Sequence, residues 1–398
     1  MRRVVVTGIG VVSAIGTRTA TFWDSLKLGR CGILPIQSLD MSSFKFSNGA
    51  EALDFDPLAH LDAKASSMLD RSTQFASAAA LEAITTSGVT LIPNRTAVVT
   101  GCSVGGKITE DLAYQQLYGA NKQRFEPLTI PRVMGNASAS WISMRHGITG
   151  PCYTVSTACA SAAHAIGQAF WLVRNGVVDV AITGGTEAPF AEGLLRAWEA
   201  MRVVSPGTCR PFSKDRQGLI LGEGAAMLVL EPLETAKLRG ATIYAEICGF
   251  GMSSDAAHLT MPSATGAAAA MWGALKDAGL NTQQIGYVNA HGTGTEANDR
   301  TESHAIRAVF AGQLPAVSST KSMHGHALGA SPALEAAATI LGLFHGLLPP
   351  TANFTVADAE CDLDVVPNHA RPQVVEAALS NSFAFGGLNA VLSFRCHV

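Results

Sequence analysis

Short strand-like segments and longer helix-like segments alternate along this chain, and that alternation limits the folds it can adopt. Apolar segments of strand length occur at 3–7, 96–100, 153–156, 177–183 and 225–230. Residues 72–87 and 162–174 carry apolar side chains at helical spacing instead. Such alternation is typical of a mostly parallel sheet covered by helices, so the sequence predicts an α/β fold.

The second part of the chain repeats patterns of the first. Residues 247–254, 317–322 and 386–394 are similar to residues 6–13, 155–160 and 222–230, and the three pairs come in the same order. The repeats are short and rich in glycine, which leaves chance similarity as an alternative. Three pairs in one order favour a duplication, and we predict an N-terminal half at 1–239 and a C-terminal half at 240–398.

The composition argues against several classes of protein. Of the 398 residues, 47% are hydrophobic and 15% are charged, which is typical of a compact, heavily buried protein. The formal net charge of -3 argues against a broad nucleic-acid-binding surface. We therefore expect no nucleic acid as a partner, and an acidic partner would need a local basic patch.

The eight cysteines include no C-x-x-C pair and no zinc-like spacing, which favours a reduced, cytoplasmic protein over a disulfide framework. No apolar run reaches the roughly 18 residues of a membrane helix, so we expect no membrane span. The start, MRRVVVTGIG, has the charge order of a signal peptide, but it fits a first strand and its turn better. Gly8 and Gly10 are accordingly predicted to be turn glycines.

Cys159 lies where a strand-like segment ends and a helix-like segment begins. The unpaired N–H groups and the positive dipole end of a helix favour a thiolate over a thiol, and therefore a nucleophile. The alternative is that a small cysteine merely fits between packed elements, since free cysteines are often buried. On this stretch alone both interpretations are open.

Two histidine-bearing turns favour the catalytic interpretation. His291 follows a strand-like segment and precedes Gly-Thr-Gly-Thr, a position where α/β proteins place ligands. Residues 318–329 carry Lys321, His324 and His326. A single histidine in a turn is more often structural, but two such turns and a cysteine at a helix start together indicate an active site.

Other kinds of site fit the sequence less well. The histidines lack H-E-x-x-H spacing and Cys159 has no partner at ligand spacing, so no metal site is predicted. The G-x-S-x-G of a serine hydrolase does not occur, and the first glycines lack the full dinucleotide-binding pattern. Residues 380–389 combine two glycines with two aromatic residues, which fits either a loop that contacts a ligand or an ordinary turn.

Taken together, the motifs TACAS, NAHGTGT, STKSMHGHALGA and NSFAFGG resemble those of the β-ketoacyl-acyl carrier protein synthases, closest to type II condensing enzymes with a Cys-His-His triad. The resemblance runs over essentially the whole chain. It implies a thiolase-like fold, in which two duplicated halves form a five-layered α-β-α-β-α sandwich and the protein works as a dimer. It also implies an acyltransferase that needs no metal or redox cofactor.

The resemblance implies a catalytic role for five side chains. Cys159 would be the nucleophile that takes an acyl chain from the phosphopantetheine thioester of acyl carrier protein. The neutral imidazoles of His291 and His326 would stabilise the enolate that forms when malonyl-carrier loses its carboxylate. Lys321 would help keep His326 neutral, because a like charge disfavours protonation, and Glu335 would hold Lys321.

The resemblance also implies a gate, a substrate site and a docking surface. Phe385 would separate the acyl pocket from the malonyl site, and its backbone N–H would complete an oxyanion hole with that of Cys159. The residues implied to bind substrate are Thr293 and Thr295 at the pantetheine, and Val104, Thr129, Trp198 and Gly386 around the acyl pocket and gate. The basic residues that remain, or substitute, for carrier docking are Lys64, Lys122, Arg124 and Arg202.

Some positions depart from the housekeeping pattern of the family. Ala384 stands where glycine is expected in the gate loop, and we expect it to stiffen the loop because a positive φ costs alanine more than glycine. The runs LLRAWEAMRVVSPGTCRPFS and KSMHGHALGAS resemble nodulation-type and polyene-type synthases, which act in specialised fatty acid or polyketide pathways. A housekeeping fatty-acid elongation synthase is the alternative.

Two further alternatives concern the activity itself. Some family members are silent chain-length factors that have lost the cysteine, and the intact set of Cys159, His291 and His326 argues against that role here. A thiolase would carry a C-terminal Cys-x-Gly motif, which this chain lacks. The active chain is expected to form a homodimer, or a heterodimer with a subunit like a chain-length factor.

Overall fold

Strands and helices alternate throughout residues 1–122 and 124–397, the part of the chain that the computed structural model describes. The strands are β1 (Val4–Ser13), β2 (Leu34–Pro35), β3 (Asn48–Gly49), β4 (Thr96–Gly101), β5 (Cys152–Val155), β6 (Val180–Glu187), β7 (Gly224–Pro232), β8 (Ala245–Ser254), β9 (Ile285–Asn289), β10 (Ala316–Ser318), β11 (Leu347–Leu348), β12 (Asp364–Val365), β13 (Arg371–Pro372), β14 (Ala377–Ala384) and β15 (Leu388–Arg395). The α-helices are α1 (Thr19–Lys27), α2 (Ala63–Ser67), α3 (Arg71–Ser87), α4 (Lys107–Tyr114), α5 (Thr129–Val133), α6 (Ala137–His146), α7 (Ser161–Arg174), α8 (Glu192–Met201), α9 (Leu233–Leu238), α10 (Ala264–Ala278), α11 (Glu296–Val309), α12 (Lys321–His324) and α13 (Ser331–His345).

Eleven of these strands form one continuous sheet in the order β12-β10-β9-β14-β15-β8-β1-β7-β6-β4-β5. In the first half, β1, β7 and β6 pair antiparallel in turn, and β6, β4 and β5 pair parallel. In the second half, β8, β15 and β14 pair antiparallel, and β14, β9 and β10 pair parallel. The same order and directions occur twice, and the three sequence repeats lie at equivalent positions, which confirms the predicted duplication.

Helices separate the two halves of the sheet into layers. The helices α7 and α13 pack against each other and against strands of both halves, so they form a shared central layer. On the outer faces, α3 packs on β1, β7 and β6, and α10 packs on β8 and β15. This arrangement is the duplicated, five-layered α/β sandwich of the thiolase-like fold.

Paired glycines let the outer helices approach the strands closely. A Cβ on Gly10 would lie 1.9 Å from the Ala79 carbonyl oxygen of α3, and one on Gly8 would lie 2.1 Å from that of Ala83. The prediction that both are turn glycines is wrong, because both lie inside β1. Gly251 of β8 meets α10 in the same way, so the G-x-G repeat marks a helix-packing position in each half.

We expect Gly10→Ala to lower the free energy of unfolding by about 1–3 kcal/mol, since overpacking displaces neighbouring backbone. Urea unfolding at neutral pH measures the change. Gly135→Ala is the matched control, because a Cβ there meets nothing within 4 Å. Equal stability of the two variants would contradict the close-approach role of Gly10.

Two sequence expectations can be compared with the described residues. Among the described residues, no helix is both long enough and apolar enough to span a bilayer. All eight cysteines are free thiols.

Candidate active site

Cys159 lies in a tight turn between β5 and α7. Ala158, just before it, has a φ of 48°, in the left-handed region that costs a residue with a Cβ energy and that concentrates at functional sites. The Ser161 hydroxyl stabilises the turn, since it accepts from the Thr157 N–H at 2.9 Å and donates to the Ala158 carbonyl at 2.6 Å. The structure therefore holds the thiol in one position at the start of α7.

Burial controls the protonation of Cys159. Its side chain is 6% exposed, and desolvation raises the pKa of the thiol from 9.0 to about 12, while the nearby charge of Lys321 opposes the rise. The contribution of the helix start to thiolate formation stays a prediction, but desolvation raises the net pKa despite the favourable charge of Lys321. A thiol with so high a pKa needs a neighbouring base before it can act as a nucleophile.

His291 lies in the loop that follows β9, and a carboxylate of α11 fixes that loop. The buried Glu302 accepts hydrogen bonds from the backbone N–H groups of His291 and Gly292, both at 2.8 Å. One turn earlier on the helix, Asp299 accepts from the N–H of Gly294 at 3.2 Å. The two carboxylates thus hold the backbone that carries His291 and the threonines after it.

Lys321 connects His291 to α13. Its Nζ donates to the His291 carbonyl at 2.6 Å, lies 3.3 Å from His291 Nδ1 and forms an ion pair with Glu335. Burial raises the pKa of Glu335 to about 7, while the Lys321 charge opposes the rise. Because an ammonium group can only donate, His291 Nδ1 accepts here and the ring proton is on Nε2.

His326 faces His291 across the site. The two ring centroids are 5.5 Å apart and the ring planes are 86° from each other. The backbone of His326 is held between Ile220 and Gly222, and its Nδ1 lies 2.9 Å from the Ser331 hydroxyl. Burial and the Lys321 charge lower the pKa of both histidines well below 6.5, so both imidazoles are neutral.

His324, the third histidine of this region, bonds to its own turn instead. Its Nε2 lies 3.0 Å from the Thr320 hydroxyl and its Nδ1 lies 2.9 Å from the Gly325 carbonyl. Burial lowers its pKa to about 3. The side chain therefore supports the turn between Lys321 and His326 rather than lining the cavity.

His324→Asn is expected to flatten the pH dependence of stability. In the folded protein His324 has a pKa of about 3, so between pH 6.5 and 3 the unfolded chain binds a proton that the folded chain does not. The wild type should then lose about 1.4 kcal/mol of unfolding free energy per pH unit below 6.5 relative to the variant. Urea unfolding between pH 7 and 5 measures this, and parallel curves for the two proteins would contradict it.

Cys159, His291 and His326 line one cavity of about 100 Å³. Much of the remaining wall is apolar. The other lining residues include Trp198, Val203, Leu219, Leu259, Met261, Thr293, Thr295, Phe383 and Phe385. One thiol and two neutral imidazoles in a largely apolar cavity suit acyl transfer and the stabilisation of an enolate oxygen.

Two family models together match most of this chain. The β-ketoacyl synthase N-terminal domain matches residues 1–236, and the β-ketoacyl synthase C-terminal domain matches residues 244–355. The chain belongs to the β-ketoacyl synthase family. It is therefore an acyltransferase-type condensing enzyme by family.

Relatives and solved structures agree with this β-ketoacyl synthase assignment. Nodulation protein E of a Rhizobium species is 46% identical over 99% of both chains. The 3-oxoacyl-(acyl-carrier-protein) synthase 2 of a Synechocystis species is 41% identical over 99% of this chain and 98% of the relative. The structure titled as the ishigamide ketosynthase/chain length factor superposes with a TM-score of 0.96 at 38% identity, and the match covers 100% of both chains.

Phe385 of this β-ketoacyl synthase lies in the turn between β14 and β15. Its ring stacks on Trp198, with centroids 6.2 Å apart and planes at 29°. The positive φ angles of the loop belong to Gly386 and Gly387, at 83° and 72°. The expected φ penalty at Ala384 is absent, because Ala384 ends β14 and pairs with Leu388 in the ladder.

The loop 255–263, between β8 and α10, covers the gate, and the sequence analysis did not predict it. Asp255 donates its N–H to the Gly387 carbonyl at 2.9 Å and accepts from the Ser263 N–H at 2.9 Å. The Gly386 N–H donates to the Leu259 carbonyl at 2.8 Å. This loop brings Leu259 and Met261 to the cavity, and nothing in its composition distinguishes it from an ordinary surface loop.

The other predicted substrate residues lie in three places: at the cavity, in an apolar cluster beside it and near a separate cavity. The hydroxyls of Thr293 and Thr295 lie 2.8 Å apart at the cavity. Val104 packs in the apolar cluster that includes Trp198 and Phe385. Thr129 begins α5, and neighbouring residues of that helix line a separate cavity of about 160 Å³.

The four predicted docking residues are all exposed, in three places. Lys64 lies in α2, and Arg202 directly follows α8, the helix that carries Trp198. Lys122 and Arg124 follow α4, which contacts α8 where Asp111 accepts from the Gly193 N–H at 3.3 Å. Arg202 therefore lies next to the helix that borders the cavity, and Lys122 and Arg124 follow a helix that contacts it.

Proposed function

We propose that this synthase extends an acyl chain by decarboxylative condensation with malonyl-carrier, with Cys159 as the nucleophile. The observation that carries the proposal is the shared cavity, in which one buried thiol and the neutral imidazoles of His291 and His326 are brought together. No other part of the described chain is needed to supply the reacting groups.

The first step is transfer of the acyl group to Cys159. The Cys159 sulfur forms a bond to the thioester carbonyl carbon, and the bond to the pantetheine sulfur breaks. A neutral imidazole takes the Cys159 proton and returns it to the leaving thiol. The backbone N–H groups of Cys159 and Phe385 lie in turns rather than in a helix or strand, which supports their role as the oxyanion hole.

The second step is decarboxylation of the malonyl group. Loss of carbon dioxide leaves an enolate on the thioester oxygen, and Nε2–H groups of His291 and His326 donate to that oxygen. The Lys321 ammonium supports this role because it keeps the proton of His291 on Nε2 and disfavours protonation of either ring. The enolate carbon then attacks the acyl-Cys159 carbonyl, and the C–S bond breaks to release the lengthened β-ketoacyl-carrier. The Cys159 thiolate that leaves takes a proton from solvent and becomes a thiol again.

The partner that delivers both substrates is an acyl carrier protein. Its acidic surface would bind the exposed Lys64, Lys122, Arg124 and Arg202, and its pantetheine would pass between Thr293 and Thr295. The exposed Gly386 and the Phe385 gate would open as the acyl chain enters. We place this reaction in the cytoplasm, which agrees with eight free thiols.

A second subunit would pair at the edge of the sheet. Strand β5 ends the eleven-stranded sheet, its Cys152 is exposed, and unpaired strand edges favour pairing with another chain. Nearby α5 and α6 expose Ile130 and Met144, at 67% and 69%. The partner is either a second copy or a chain-length-factor-like subunit, and native mass measured with and without co-expression of such a subunit separates the two.

The pathway is proposed to be a specialised fatty acid or polyketide pathway that handles unsaturated chains. Support comes from Trp198 and Phe385, which stack on each other and both line the cavity, where their rings can contact an acyl chain. The alternative is a housekeeping elongation synthase, for which saturated chains would be the preferred primers.

Intact-protein mass spectrometry tests the proposal. The protein is incubated with a panel of saturated and unsaturated acyl-carrier thioesters and then with malonyl-carrier. We expect acyl adducts on Cys159 that disappear as β-ketoacyl-carriers two carbons longer form, and the preferred primer decides the pathway. Folded protein that forms no adduct with any carrier would contradict the proposal for this chain alone.

A further inference from the structure

The Ser331 hydroxyl contacts the ring nitrogen of His326 that faces away from the cavity. Ser331 is the first residue of α13, and it is fully buried. Its Oγ lies 2.9 Å from His326 Nδ1, and the His326 side chain is itself 2% exposed. Because both groups are buried, the partner of Nδ1 determines which ring nitrogen carries the proton.

The two buried histidines of the cavity differ in that partner. His291 Nδ1 faces the Lys321 ammonium, which can only donate, so its proton stays on Nε2. His326 Nδ1 faces a hydroxyl, which donates in one rotamer and accepts in another. The partner of Nδ1 can therefore form a hydrogen bond with either neutral tautomer of His326, but with only one tautomer of His291.

We propose that Ser331 is a positioning residue that lets His326 change tautomer between acyl transfer and condensation. The inference rests on the proposed function, because only a two-step condensation needs His326 in two forms. It assigns His326, rather than His291, as the base for Cys159.

The proton movements balance in both steps. During acyl transfer, Nδ1–H of His326 donates to Ser331 Oγ, and the free Nε2 takes the Cys159 proton as the sulfur–carbon bond forms. The same proton passes to the pantetheine sulfur as its bond to the acyl carbon breaks. Between the two steps, after the first carrier leaves, His326 changes tautomer by exchange with solvent water: Nε2 gains a proton as Nδ1 loses one. During decarboxylation, Ser331 donates to Nδ1, and Nε2–H of His326 donates to the enolate oxygen.

Ser331→Ala separates the two steps. In this variant the alanine methyl group lies beside Nδ1 in place of the hydroxyl. A buried Nδ1–H without a partner costs more free energy than a lone pair without one, so the Nε2–H tautomer dominates. That tautomer suits decarboxylation but not proton removal from Cys159. We expect the acylation rate to fall about tenfold, the effect of one lost hydrogen bond, while decarboxylation stays within about twofold.

Acylation is followed by mass spectrometry of the full-length protein with saturating hexanoyl-pantetheine. Decarboxylation of malonyl-pantetheine is measured in proteins that also carry Cys159→Ala, so that no acyl group interferes. Ser393→Ala is the matched control, since it removes a buried hydroxyl that contacts Cys248 outside the cavity. An unchanged acylation rate in Ser331→Ala, or equal losses in both steps, would overturn the proposal.

A spectroscopic measurement separates tautomer control from a structural role. The ¹⁵N shifts of the His326 ring should show a mixture of tautomers in the wild type and one dominant Nε2–H form in Ser331→Ala. The same ring shifts in both proteins would overturn the inference. Failure of the wild type to acylate at all would instead count against the proposed function, so the two failures are distinguishable.

Discussion

Cys159→Ala should abolish acyl-adduct formation and lower the condensation rate by about six orders of magnitude, the loss caused by removing the nucleophile of a covalent enzyme. The reason is that the cavity contains one thiol. Two other buried thiols do not line it: Cys102 donates to Glu187, and Cys209 donates to the Thr293 carbonyl. Mass spectrometry of the acyl adduct and product assays with malonyl-carrier measure both effects.

Decarboxylation provides an internal check on this variant. His291 and His326 remain in place without Cys159, so malonyl thioester should still lose carbon dioxide. Cys361→Ala is the matched control, because Cys361 is buried but lies apart from the cavity. Condensation that persists in Cys159→Ala, or an acyl adduct on another side chain, would contradict the assignment of the nucleophile.

Lys321→Met should lower the free energy of unfolding by about 3–5 kcal/mol, the cost of leaving one partner of a buried ion pair uncompensated. Lys321 and Glu335 are both fully buried and form an ion pair. The loss should be smaller at pH 5 than at pH 8, because the pKa of Glu335 is raised and a protonated carboxyl group leaves no buried charge. Urea unfolding at the two pH values measures it.

A double variant separates stability from activity at this pair. Lys321→Met with Glu335→Leu removes both charges and should recover most of the lost stability. Activity should stay low, because no ammonium then holds the proton of His291 on Nε2. Full recovery of condensation in the double variant would contradict the role of Lys321 at His291.

Local patterns predicted an α/β fold and its duplication, and the family resemblance implied the five layers. The expectation of a mostly parallel sheet is wrong, because five of the ten strand pairings in the eleven-stranded sheet are antiparallel. The G-x-G repeats of β1 and β8 and the strand-to-turn segments after β5 and β10 are short, but each occurs at the same point of a half. What the sequence could not supply was the reason for the glycines at 8 and 10. Their close contact with α3 depends on how a distant helix packs, so a turn was predicted where a strand continues.

At the candidate site, the sequence likewise predicted some features and not others. The motifs led to Cys159 and His291 because each lies just after a strand-like segment, and such positions converge in a sheet. His326 was found in the histidine-bearing stretch 318–329. The high pKa of the Cys159 thiol was not predictable, because it comes from burial of the side chain in the folded protein. The contact of Ser331 with His326 was missed because a serine five residues after a histidine carries no distinctive pattern.

The shared central layer of α7 and α13 prevents the first half from completing its core before the second half has been synthesised. Phe250 of the second half lies against Trp171 of α7, with ring centroids 5.1 Å apart, and it occupies the space that the lack of a side chain at Gly167 leaves open. The first half thus lacks part of its core until the second half is synthesised. At about 5–20 residues per second, the remaining 160 or so residues take roughly 10–30 s to emerge from the ribosome. During that time the inner face of α7 stays uncovered, so slower translation of the second half should increase aggregation of the nascent first half.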